Sequence, residues 1–182
     1  LGGGFWGFGV FVGLRASRTP HDCKGIRLRV PEIPTWVEMA RALGANPTPI
    51  PAAEIYTALQ TGVIDAIEVP PDFITAAKLF EVGQHATRTH HIFTEVSMFA
   101  AAARMAQLAP EHQKAIRDAA RESVQVWFWD ENLEVQEAAW NELAGRTAAV
   151  GDPDVASFRD RTAVVTDNFV KRAGAKAQAY ID

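Results

Sequence analysis

The 182 residues contain one cysteine, Cys23. A single thiol closes no internal disulfide, so the fold must be held by its core, and cysteine usage says nothing about redox compartment. No positive cluster surrounds Cys23, so it reads as a small buried hydrophobe rather than a reactive thiol. Basic runs are also missing, and the net charge is −4. That balance gives no support to nucleic-acid binding or to a membrane surface. The most apolar stretch, Leu1–Leu14, is too short to span a bilayer as a helix, and its six glycines oppose any stable helix. The chain starts at Leu1 with no basic segment or cleavage site, which suggests that processing or truncation has removed its start. No serine sits in a GxSxG turn, and Asp65 and Glu68, three apart, would face opposite sides of a strand rather than form an acid/base pair. Capping and solvation are the simpler roles for them. His85, His90 and His91 invite a metal, but no cysteine or carboxylate cluster completes a ligand set, and adjacent histidines on a strand diverge. Repeats and low-complexity linkers are absent.

What remains is an ordinary globular composition, 48% apolar and 22% charged, long enough for one good core. Its organising stretch is Gly25–Pro71. Short apolar strands at Ile26–Val30, Thr48–Ile50 and Val63–Ile67 alternate with helices from about Thr35 and Ala53, which predicts an open α/β sheet. Gly44 and Gly62 are placed to end those helices. Trp36, Met39, Ala40 and Leu43 form the first helix's apolar stripe, so Trp36 reads as core before ligand platform; Tyr56 could face a ligand or simply pack. Ligands of such sheets sit beyond the strand ends. Two ends stand out, Arg29-Val30-Pro31 and Glu68-Val69-Pro70-Pro71, each placing a charge where a strand meets a proline turn. Arg29 could present a planar fork that matches a carboxylate, or it could be a surface arginine. Arg27 reads as solvated.

Elsewhere, Gly2, Gly4 and Gly7 match a GxGxxG spacing, but no strand precedes them and Phe8–Val12 continues as an apolar run, so a glycine-rich turn entering a buried strand fits better than a dinucleotide site. Phe73–Val82 reads as a helix with Phe73, Ala76, Ala77 and Phe80 on one side, and Glu95–Ala103 as a strand. Pro110 opens a long helix to about Ala144, closed by Gly145, with Trp127, Trp129 and Trp140 as buried anchors rather than stacking platforms. Asp152-Pro153-Asp154 starts a last helix to about Ala173.

Three runs carry a family resemblance: Asp22-Cys23-Lys24-Gly25-Ile26-Arg27-Leu28-Arg29-Val30-Pro31, Ala42-Leu43-Gly44-Ala45-Asn46-Pro47, and Glu54-Ile55-Tyr56-Thr57-Ala58-Leu59-Gln60-Thr61-Gly62-Val63-Ile64-Asp65. Together they resemble the dicarboxylate-type solute-binding proteins of TRAP transporters, over all but roughly the first hundred-odd residues of that fold. The resemblance implies a two-lobed, periplasmic-binding-protein-like α/β fold with a long lobe-linking helix and part of the first lobe missing. Residues 25–94 would belong to the second lobe; residues 1–24 and 95–182 would supply crossing strands, the long helix and C-terminal helices. It implies a periplasmic, non-enzymatic carrier without cofactor or metal, which binds a small organic acid and delivers it to TRAP membrane subunits without entering the membrane itself. A truncated, non-binding fragment and an enzyme on a similar scaffold are the alternatives. Arg29 would clamp the ligand carboxylate, and the expected ligand-binding set is Arg29, Glu68, Val69 and Phe73. Gly9 stands where the sialic-acid-binding branch has a second arginine, Ala52 where it has an aromatic, and Val69 where the family commonly has asparagine. A roomier, less polar pocket is therefore expected. The missing part should also leave Phe5, Phe8, Val10 and Phe11 uncovered, so that the 182 residues alone bind poorly and associate.

Overall fold

The computed structural model describes residues 1–174 and residue 177; residues 175, 176 and 178–182, which the expected C-terminal portion included, lie outside the described residues. Its centre is a six-stranded sheet in the order β4-β3-β5-β2-β6-β8. The strands are β2 (Val10–Gly13), β3 (Arg27–Val30), β4 (Asn46–Pro49), β5 (Ala66–Val69), β6 (His85–Thr87) and β8 (Ala148–Val150). β3 runs parallel to β4 and β5, while β2 is antiparallel to β5 and β6. Strand β4 carries Pro47 and Pro49, which the sheet tolerates because β4 is an edge. Helices α1 (Pro34–Ala42) and α2 (Ile55–Gln60) connect the parallel strands, and Gly44 and Gly62, at φ +80° and +71°, end them as expected.

Alternation along the strands builds a core on each face. In β2, Val10 and Val12 enter one core with Ile55, Leu59, Ile67 and Leu143, while Phe11 enters the other with Cys23, Leu28, Val30, Met39 and Phe158. Cys23 is buried, as expected, and burial pushes its thiol up to about 11.

The expected glycine-rich turn is instead strand β1 (Gly2–Phe8), paired antiparallel with β7 (Phe93–Met98) in a separate ribbon. Its glycines serve close packing: a Cβ on Gly4 would stand 2.3 Å from Phe128 Cβ. The alanine run beyond β7 leaves the strand and forms the short α4 (Ala102–Met105), as its low β propensity permits. The Phe73–Val82 helix is also shorter: α3 (Pro71–Ala76) stops before Lys78, at φ 53°, and a separate turn follows.

The expected single long helix has three parts. α5 (Pro110–Ser123) passes into a π-helical segment, Val124–Asp130, and then α6 (Asn132–Arg146). Gly145 lies inside α6 and does not end it. Of the three tryptophans only Trp140 is buried; Trp127 and Trp129 are exposed, because the π segment faces β1 with Val124 and Phe128 instead. The last helix, α7 (Val155–Ala173), begins where expected: the Asp154 carboxylate accepts from the Ser157 N–H at 3.1 Å. Phe5, Val10 and Phe11 are buried and Phe8 is half-buried, contrary to expectation, because Phe93, His90 and His91 stack on these rings. The large exposed apolar residues are others, Phe99, Trp127 and Leu133 among them. Among the described residues no helix is long and apolar enough to cross a membrane.

Candidate ligand-binding site

The carboxyl ends of β3 and β5 and the start of β2 lie side by side, since Val10 pairs with Val69 and Phe11 with Glu68. A cleft of about 220 Å³ opens there, and Arg29, Glu68, Val69 and Phe73 all line it. Period-two alternation puts Arg29 and Val69 on one face of the sheet and Glu68 on the other, so the cleft draws on both faces where the sheet ends.

Arg29 is only 7% exposed. Its Nε donates to the Ile50 carbonyl at 2.9 Å, which fixes the plane of the guanidinium. Among the described residues its terminal nitrogens have neither a hydrogen-bond partner nor an ion-pair partner within 4 Å. Burial pulls the guanidinium below its ordinary range, and the charge of Glu68 opposes that pull. Arg27, two residues earlier, is exposed and pairs with Asp65, its Nε donating to Oδ2 at 3.0 Å. The two strand arginines therefore have separate tasks: one fastens the far end of β3, and the other points two free donors at the cleft.

Glu68 is not a solvated strand-end charge. It is 4% exposed, and its Oε1 accepts from the Trp36 indole N–H at 2.6 Å. Its Oε2 lies 3.9 Å from His91 Nε2, on a fully buried imidazole stacked over Phe11 at 4.6 Å. Burial raises the Glu68 carboxyl from 4.5 to about 8, against the lowering effects of Trp36 and Arg29. Burial likewise lowers His91 to about 3. Burial thus disfavours the charged form of both groups. His90 and His91 do diverge, but beyond β6 rather than on it, with His90 at φ 49°. Among the described residues no group of three potential metal ligands comes together.

The walls beyond these residues are apolar except for Thr94. Trp36 is half-buried and lines the cleft, not only the core. Trp6 forms another wall, set by an irregularity in β1 between Phe5 and Gly7. Its indole donates to Asp72 Oδ2 at 2.8 Å, and its carbonyl accepts from Gln136 Nε2 at 2.9 Å. Such a bulge redirects one side chain, and its position depends on a partner strand some ninety residues away. Ala52 lies at the rim. Gly9 stands against Glu68: a Cβ there would be 3.0 Å from Oε2. Tyr56 is not part of the cleft; its hydroxyl donates to Glu81 at 2.8 Å.

A buried guanidinium with free donors, set in a largely apolar cleft at the ends of parallel strands, is chemistry suited to a small anion. The chain belongs to the bacterial extracellular solute-binding protein family 7, whose profile matches residues 4–173. It is 30% identical over 170 residues to the ectoine-binding periplasmic protein TeaA of Halomonas elongata, across 90% of this chain and 49% of that protein. It is 38% identical over 106 residues to the 2,3-diketo-L-gulonate-binding periplasmic protein YiaO of Escherichia coli, across 58% of this chain and 32% of that one. The structure of the TeaA ectoine-binding protein superimposes with a TM-score of 0.91 at 26% identity, over 98% of this chain and 59% of that structure. The fold is thus that of the TRAP periplasmic binding proteins, and the chain spans from about a third to three fifths of these relatives.

Proposed function

We propose that this chain is the carboxylate-anchoring portion of a periplasmic carrier that binds an organic acid and passes it to TRAP-type membrane subunits. The observation that carries the reading is Arg29: buried, oriented by Ile50 and left with its terminal donors free toward the cleft. A carboxylate there would receive charge-assisted bonds from a pre-oriented fork. Val69, Phe73, Trp6 and Trp36 offer apolar surface to the rest of the ligand, and Val69 has no side-chain donor or acceptor. A polar ligand group facing Val69 would be left unpaired, so the ligand class is an acid with a small or apolar body. The ligands named for the relatives, ectoine and 2,3-diketo-L-gulonate, are compatible with a small-solute site. In this reading residues 25–94 form the second lobe, and residues 1–24 and 95–182 supply strands and helices that join it to the first. The protein changes nothing in its ligand.

A thermal-shift screen of organic acids tests the class. Acids with apolar bodies should raise the melting temperature, and mass spectrometry after incubation should recover them unchanged. A strong response confined to a sialic acid would contradict the apolar-body reading, and a converted acid would contradict the carrier.

A further inference from the structure

We infer that Trp36 sets the size of ligand this cleft accepts, its indole forming a partition between the cleft beside Arg29 and a second cavity between α1 and α7. The inference rests on the carboxylate reading above. Trp36 lines both spaces. On one side is the cleft of about 220 Å³ that holds Arg29. On the other is a cavity of about 240 Å³ walled by Met39 of α1, Val165 and Thr166 of α7, and Ile92. The indole is fixed between them by its bond to Glu68 Oε1 at 2.6 Å. Small-molecule sites occupy roughly 300–1,000 Å³. Either space alone falls below that range, and the two joined fall within it.

The chemistry of the far cavity narrows the ligand. No lysine, arginine, aspartate or glutamate lines it, and the imidazole at its edge, His91, is neutral. The cavity's other polar side chains are the uncharged hydroxyls of Thr35, Thr162 and Thr166, of which Thr162 donates to the Phe158 carbonyl at 2.9 Å. This cavity suits an uncharged tail and rejects a second carboxylate. With the partition closed, the cleft admits short monocarboxylates. Shortening Trp36 should admit the tails of longer ones while leaving the Arg29 end of the site in place.

Methyl NMR tests this with two reporters, Val69 in the cleft and Val165 in the far cavity. The probes are hexanoate and decanoate, titrated into the protein and its Trp36→Ala variant. In the wild type both acids should shift Val69 and neither should shift Val165. In Trp36→Ala, decanoate should shift both valines, and its affinity should gain at least tenfold relative to hexanoate. Trp36→Leu, which keeps an apolar contact on α1, gives the same readout should the alanine variant not fold. Val165 silent in both variants while Val69 responds overturns the partition and leaves the carboxylate reading standing. Val165 responding in the wild type overturns it too. Val69 silent toward both acids in every protein contradicts the carboxylate reading, and the partition with it.

Discussion

At the scale of single residues, the cleft is a problem in charge placement. Arg29 carries the charge a ligand needs, yet a buried glutamate stands beside it. Were Glu68 ionised, it would compete with the ligand for that charge. Burial reduces the conflict by holding the Glu68 carboxyl protonated, against the Trp36 donor on Oε1, which favours the charged form. The consequence is a pH dependence of stability. Between about 4.5 and 8 the native state holds a Glu68 proton that the unfolded chain releases, so stability falls as pH rises through this window. Neutral His91 acts with the opposite sign between about 3 and 6.5, where the unfolded chain binds the extra proton and stability rises with pH. The two oppose each other up to about pH 6.5, and above it Glu68 acts alone. From pH 6.5 to 8 the wild type should lose roughly 1–2 kcal/mol, less than the full 1.36 kcal/mol per pH unit because Glu68 is half titrated at the upper end. Glu68→Gln should show almost none of that loss. Denaturant melts at the two pH values measure it, and equal losses in both proteins would remove Glu68 as the cause. None of this was legible from Glu68 itself. A charge at a strand end reads as solvated until Trp36, 32 positions earlier, is known to reach it.

At the scale of elements, local signals worked where local physics decides. Strand β3 follows from its short apolar run, β5 begins at Ala66, three residues beyond the expected Val63, and Gly44 and Gly62 follow from the left-handed residue that a helix end demands. The place of Arg29 at the exit of β3 was legible for the same reason, since it is set by its own neighbours. Long-range pairing was not legible. The glycines of β1 looked like a turn because the reason for them, the Phe128 side chain, lies more than a hundred residues away. The π segment has no distinct pattern of its own, because its residues keep nearly the spacing of an ordinary helix. A double-mutant cycle checks the packing account of β1. Gly4→Ala should cost roughly 1–3 kcal/mol by forcing a Cβ into Phe128. In a Phe128→Gly background, which removes the Cβ that the new methyl would meet, the same change should cost far less. Equal costs in the two backgrounds would mean that Gly4 is required for something other than this contact.

At the scale of the whole molecule, the two cores and the six-stranded sheet give the cleft a rigid floor, while the β1–β7 ribbon and the long helical run bring Trp6 to its wall. Large apolar side chains on and just beyond that ribbon and on that run, Phe93, Phe99, Trp127 and Leu133, stand in solvent. Residues 1–182 alone should therefore associate with rising concentration, and Trp127→Ser with Leu133→Ser should weaken that association. Light scattering coupled to size exclusion reads this directly; a strictly monomeric species at all concentrations would contradict it. In the proposed function one buried, pre-oriented guanidinium holds the ligand carboxylate. Arg29→Lys keeps the charge but loses the fork and the Nε bond to Ile50. Calorimetric titration of the acid with the largest thermal shift, into wild type and Arg29→Lys, is the most direct test. Loss of one charge-assisted bond, roughly 1.5–3 kcal/mol, predicts a dissociation constant about ten- to a hundredfold weaker in the variant. Equal affinity in the two proteins would place the carboxylate somewhere other than Arg29.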